Sequence, residues 1–120
     1  MHKIIFFNSR DTLIRIDIRN IVYFESDGNY TYIVTANKLR SCLTMNLSHT
    51  EQALASQLGA QARRFMRIGK RFIVNIRHIY QIDTLKQVLT LSDGSSFVFQ
   101  LPVSKEALKQ VKALMIESKQ

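Results

Sequence analysis

The sequence predicts a mainly β domain of about eight to ten short antiparallel strands, with one helix mid-chain and a second at the C-terminus. Three observations carry this expectation. Apolar residues alternate with polar ones at period two in several short runs. Turn-forming groups, among them Asp27-Gly28-Asn29 and Asp93-Gly94, separate those runs at meander spacing rather than at the spacing of βαβ units. Helical periodicity is confined to two stretches, after Leu47 and after Ser104.

Taken in order, the N-terminal run Ile4-Ile5-Phe6-Phe7 stops at Asn8, too early for a secretory signal core, and the protein is expected in the cytoplasm. Ile14, Ile16 and Ile18 alternate with Arg15, Asp17 and Arg19, the pattern of a half-buried strand. Ile21-Val22-Tyr23-Phe24 follows as a continuous apolar run. Past the Asp27-Gly28-Asn29 turn, a strand starts at Tyr30 in which Tyr30, Tyr32 and Val34 share one face and Thr31, Ile33 and Thr35 the other. A turn at Asn37-Lys38 leads into Leu39 to Thr44. Ser48-His49-Thr50-Glu51 has capping-box spacing, Leu47, Leu54 and Leu58 make one stripe, and Gly59 suits the helix end. Phe72 to Ile76, Ile79 to Ile82, Val88 to Leu91 and Phe97 to Leu101 read as strands. Ser104 is placed to cap the last helix, with Leu108, Val111, Leu114 and Met115 as its buried stripe and Lys105, Lys109 and Lys112 outside it. The chain contains no internal repeat on this reading, and residues 1–120 form a single domain.

Composition narrows the function. Seventeen Lys and Arg against nine Asp and Glu give a net charge of +8, which favours polyanionic partners, nucleic acid before anionic membrane. The charge is clustered: no acidic residue lies between Glu51 and Asp83, where Arg63, Arg64, Arg67, Lys70, Arg71 and Arg77 all fall. In Arg63 to Asn75 basic residues interleave with large apolar ones, so an anchored base can project guanidinium groups towards phosphates or guanine edges. Phe65, Phe72 and Val74 are expected in the core, and Asn75 is expected to satisfy buried backbone groups. Chemistry has no visible carrier. The carboxylates are scattered, His2, His49 and His78 lie far apart, and neither a phosphate-binding glycine loop nor a nucleophile elbow is present. No metal, cofactor, catalytic residue or membrane insertion is expected, and the protein is not expected to be an enzyme. Cys42, the lone cysteine, reads as a small packing residue on a strand.

Three segments carry a family resemblance. Ile21-Val22-Tyr23-Phe24-Glu25-Ser26-Asp27-Gly28-Asn29-Tyr30-Thr31 resembles the opening motif of LytTR domains. Phe65-Met66-Arg67-Ile68-Gly69-Lys70-Arg71-Phe72-Ile73-Val74-Asn75 resembles the second. Leu89-Thr90-Leu91-Ser92-Asp93-Gly94 with Leu101-Pro102-Val103-Ser104-Lys105 resembles the third, and the order and spacing hold from about Ile21 to Leu114. The resemblance implies an elongated arrangement of small antiparallel β-sheets whose loops enter the major groove of double-stranded DNA. It implies the output domain of a bacterial transcriptional regulator, of the response-regulator type found in two-component systems. Base-reading positions carried over from the family are Thr31, Lys70 and Lys105, with Asn29, Tyr30, Arg67, Arg71 and Ser104 chiefly on phosphates. It further implies two copies on direct repeats, with the site bent to serve two grooves.

Two residues depart from the pattern. Gly69 stands where the family usually has histidine, which frees the local backbone, and Arg71 replaces a serine and adds charge. The receiver domain usual in the family has no counterpart here, so the chain is expected to be either an excised fragment or a regulator controlled another way, such as by a partner protein. Two other readings remain open on sequence: a protein-interaction module that keeps the fold without binding DNA, and a single-strand or RNA binder in which Tyr30 or Tyr32 stacks on bases.

Overall fold

A computed structural model describes residues 3–119; Met1, His2 and Gln120 lie outside the described residues. Among the described residues, ten strands form three antiparallel sheets. Strands β1 (Ile4–Asn8) and β2 (Leu13–Asp17) make a two-stranded ribbon. The five-stranded sheet has the order β5-β4-β3-β7-β6, built from β3 (Ile21–Asp27), β4 (Tyr30–Thr35), β5 (Arg40–Leu43), β6 (Phe65–Ile68) and β7 (Phe72–Asn75). The three-stranded sheet β10-β9-β8 takes β8 (Ile79–Asp83), β9 (Val88–Ser92) and β10 (Val98–Pro102). Helix α1 (Leu47–Leu58) lies mid-chain and α2 (Lys105–Lys119) at the C-terminal end. Principal extents of 43 × 34 × 27 Å make the molecule elongated, as the family resemblance implies.

The five-stranded sheet is the middle layer, which explains why Ile21 to Phe24 is apolar without alternation: both faces of the sheet are covered. On one face Phe24, Ile33, Leu43 and Ile73 pack with Ile5, Phe7, Leu47, Leu54 and Leu58 from the β1–β2 ribbon and α1. On the other face Val22, Tyr23, Val34, Phe72 and Val74 meet Leu89, Leu91, Phe97, Leu101, Leu108 and Val111 from the three-stranded sheet and α2. A register irregularity between Ile21 and Tyr23 lets Val22 and Tyr23, neighbours in sequence, both enter this second core.

Several local expectations are met. Gly59 ends α1 with φ 56°, and the Ser104 hydroxyl oxygen accepts the Ala107 N–H at 3.2 Å at the start of α2. Asn75 is 1% exposed; its Nδ2 donates to Ile21 O at 2.8 Å and its Oδ1 accepts the Arg77 N–H at 3.1 Å. At the β9–β10 hairpin the Asp93 carboxyl is held well below the usual carboxylate range by the Ser96 hydroxyl and by backbone N–H groups of Ser95, Ser96 and Phe97.

Four details differ. The cap of α1 is Asn46, whose Oδ1 accepts the His49 N–H at 2.8 Å, so the Ser48–Glu51 capping box does not form and Glu51 instead faces Arg67 at 3.4 Å. Ile18 leaves the strand and opens a one-turn 3₁₀ segment, Ile18–Asn20, while remaining buried. Leu114 is 49% exposed because α2 buries only the Leu108–Val111 side of its stripe, with Met115 half-buried. Cys42 is exposed, since it lies on β5, an edge strand that no further strand covers.

Candidate nucleic-acid interface

The antiparallel pairing of β3 with β7 brings two hairpin tips together. Glu25 pairs with Phe72, and the Ser26 N–H donates to Arg71 O at 2.8 Å, so the Gly28-Asn29 turn and the Gly69-Lys70-Arg71 turn sit side by side at one end of the sheet. Both turns need left-handed glycine: Gly28 has φ 61° and Gly69 has φ 62°. The glycine that departs from the family's histidine therefore sets the shape of the turn that carries Lys70. A side chain there would adopt a strained backbone even though the space around it is open.

Asn29, Tyr30, Lys70 and Arg71 are all exposed at this end, and Tyr30 keeps half of its surface in solvent. Glu25 ties the cations behind the tips. Its carboxylate takes Arg71 Nη2 at 2.5 Å and Arg40 Nη1 at 3.4 Å. Arg71 also lies over the Phe72 ring, 5.1 Å from guanidinium carbon to centroid, and Arg40 covers Tyr32 at 4.2 Å. Arg67 pairs with Glu51 and donates to Lys70 O at 3.3 Å, bracing the tip from below. Lys70 and Lys105 make no ion pair among the described residues. Lys105 and Ser104 belong to a different element, the start of α2, which packs against β6 and β8. The Arg40 stack occupies one face of Tyr32, leaving Tyr30 as the more accessible of the two tyrosines for base stacking.

Thr31 is placed differently from the expectation. It is fully buried, and its hydroxyl donates to Met45 O at 2.9 Å. The cause is tertiary: Thr31 pairs with Leu43 on β5, and the chain then crosses at Met45 on its way into α1. In this arrangement the side chain ties the β3–β4 hairpin, one residue pair behind its turn, to the segment that enters α1. Thr31→Val is accordingly expected to cost about 1 kcal/mol by removing the hydroxyl that satisfies the half-buried Met45 carbonyl. Denaturant unfolding of the variant measures the loss.

The basic stretch is also divided. Arg67, Lys70 and Arg71 are at the tip of the β6–β7 hairpin, whereas Arg63, Arg64 and Arg77 flank its opposite end. Linear clustering of charge thus produces two surfaces rather than the single one the sequence suggests. Nothing in the sequence marks Arg40 as a site residue, and the one signal for Glu25 is its position within the first motif. Among the described residues no group of three or more His, Cys, Asp and Glu could hold a metal ion, and no helix is long and apolar enough to cross a membrane.

Comparison with known proteins places this arrangement. The family model of the LytTr DNA-binding domain matches residues 11–116. Two heme-containing CO-sensing transcriptional regulators of Paraburkholderia xenovorans (strain LB400), RcoM 1 and RcoM 2, are 27% and 28% identical to the chain over 106 residues, 88% of its length. The chain spans only 37% of the length of each. A solved LytTr DNA-binding domain from a Bacillus cereus response regulator superposes with a TM-score of 0.65 at 22% identity, covering 93% of this chain and 95% of that one, and so shares the fold.

Proposed function

The chain belongs to the LytTr DNA-binding domain family, and from that premise we propose that it binds double-stranded DNA in a sequence-specific manner as the output domain of a bacterial transcriptional regulator, without catalysis. The observation that carries the reading is the pair of abutting hairpin tips. Three neighbouring strand ends, those of β4, β3 and β7, span about 10 Å at ordinary strand spacing, which fits a major groove about 12 Å wide. Lys70 projects from one tip and Lys105 from the start of α2, and both are assigned to base edges. Arg67, Arg71, Asn29, Tyr30 and Ser104 are assigned to phosphates, which set register and affinity. Thr31 is withdrawn from the base-reading set and assigned to positioning of the first hairpin. Two copies on direct repeats, with the DNA bent between them, complete the proposal. The matched relatives support a regulatory role, since each is described as a transcriptional regulator.

Salt dependence separates the two kinds of contact. Each phosphate contact contributes about 0.9 to the slope of log affinity against log salt. The variant Arg67→Ala/Arg71→Ala is expected to flatten the slope by about two while the preferred sequence stays the same. An unchanged slope together with an altered preferred sequence would reverse the assignment and make these arginines base readers.

A further inference from the structure

Two short turns of the chain copy one another. Asp17-Ile18-Arg19-Asn20-Ile21 and Asn75-Ile76-Arg77-His78-Ile79 each join two strands through a single 3₁₀ turn. In both, the first side chain accepts the backbone N–H of the arginine, Asp17 from Arg19 at 2.9 Å and Asn75 from Arg77 at 3.1 Å. In both, the following strand has its register irregularity at the same place, between Ile21 and Tyr23 and between Ile79 and Gln81. The copies are clipped together, since Asn75 Nδ2 donates to Ile21 O at 2.8 Å and His78 Nε2 lies 3.1 Å from Arg19 O. So short a match carries no weight as a repeat in the sequence alone; the fold is what sets the two turns side by side.

The copies differ in charge. In the first, Asp17 neutralises its own arginine, with Arg19 Nε and Nη2 donating to the carboxylate at 3.2 and 2.8 Å. In the second, the equivalent residue is the neutral Asn75, whose amide is engaged with backbone. Arg77 therefore has no ion-pair partner among the described residues, and neither have Arg63 and Arg64. These three arginines, with Ala60, Gln61 and Ile76, line an open depression of about 480 Å³. Burial, and after it repulsion from Arg77, pull the Arg64 guanidinium below its ordinary pKa, with Arg19 adding to the effect and Asp17 opposing it. Crowded like charges on a rigid base are relieved by an anion, and guanidinium forks match the geometry of phosphate oxygens.

We propose that the depression lined by Arg63, Arg64 and Arg77 is a second anion site, separate from the hairpin tips, that takes a phosphate group. It lies beyond the opposite end of the β6–β7 hairpin from Lys70, with four residue pairs, roughly 10 Å of strand, between the two surfaces. A small phosphorylated ligand and a phosphodiester of DNA both present charged non-bridging phosphate oxygens to a guanidinium fork, so the source of the phosphate is a matter for experiment.

The test uses the full chain titrated calorimetrically with inorganic pyrophosphate at about 150 mM salt, alongside Arg63→Gln/Arg77→Gln, Arg77→Lys and Lys70→Ala. Arg63 and Arg77 are exposed, so the double variant is expected to fold, with far-UV circular dichroism as the check. A small-ligand site predicts saturable uptake by the wild type, weaker by about tenfold or more in the double variant and intermediate in Arg77→Lys, which keeps the charge but loses the fork. Lys70→Ala should leave that uptake unchanged. A site for DNA phosphate predicts instead that the double variant flattens the salt slope of duplex binding by about two. Either result supports the second site. Absence of pyrophosphate uptake together with an unchanged DNA salt slope overturns it, and so does uptake that Lys70→Ala abolishes and the double variant does not.

Discussion

Replacing Phe24 with alanine is expected to lower the stability of the domain by about 3–5 kcal/mol, a large share of the roughly 5–15 kcal/mol that holds a domain of this size. Phe24 is fully buried at the centre of the middle sheet. Its ring meets Phe7 and Phe65 edge-on, with centroids 5.9 Å away in each case, so one side chain joins the β1–β2 ribbon, the central strand and the edge strand β6. The surrounding residues come from three elements that pair in different sheets or at different edges, which limits how far the cavity can close. Urea unfolding followed by fluorescence or circular dichroism measures the effect. A midpoint close to that of the wild type would mean that the aromatic cluster is not the joint described here. Because this core supports both surfaces, the same variant should weaken the tip and the arginine depression together.

The second large effect is expected at the tip. The variant Lys70→Ala/Lys105→Ala should reduce affinity for a selected duplex by about 2–6 kcal/mol, taking about 1–3 kcal/mol for each lost base contact. Affinity for unrelated duplex should fall far less, because the arginines assigned to phosphates remain. Neither lysine has an ion-pair partner among the described residues and both side chains are exposed, so folding should be unaffected. Fluorescence anisotropy on the two duplexes at one salt concentration gives the comparison. Equal losses on selected and unrelated DNA would reassign both lysines to the phosphates.

Much of the fold is legible from local chemistry. Alternation and short continuous apolar runs place most of the strands, Gly59 and Ser104 mark helix ends, and Asn75 in an apolar run announces a buried amide with backbone to satisfy. What is not legible depends on elements distant in sequence. Thr31 reads as an outward-facing strand residue because nothing near it in the chain shows that the segment through Met45 will lie across it. The capping box at Ser48 is a local signal, yet the helix starts one residue earlier, at the buried Leu47, with Asn46 as its cap. The basic stretch from Arg63 to Arg77 looks continuous because a linear reading cannot tell which end of a hairpin each cation will occupy. Glu25 shows the same limit: its partners Arg40 and Arg71 are 15 and 46 residues away.

The difference between the Asp17 and Asn75 turns also bears on function. One arginine is neutralised locally and its counterpart is not, and the strands between the two surfaces are held by both cores. A phosphate bound at the far end would meet a base continuous with β6 and β7, whose other end carries Lys70.

The measurement that tests the central claim most directly is selection of bound sites by the wild-type chain from a random double-stranded DNA pool, at a fixed salt concentration of about 150 mM so that phosphate contacts alone do not hold the pool. The account predicts enrichment of a short motif, repeated in direct orientation, that relaxes at particular positions when Lys70 or Lys105 is replaced by alanine. A pool that stays unenriched, with binding that disappears as salt is raised, would contradict sequence-specific DNA recognition by this domain.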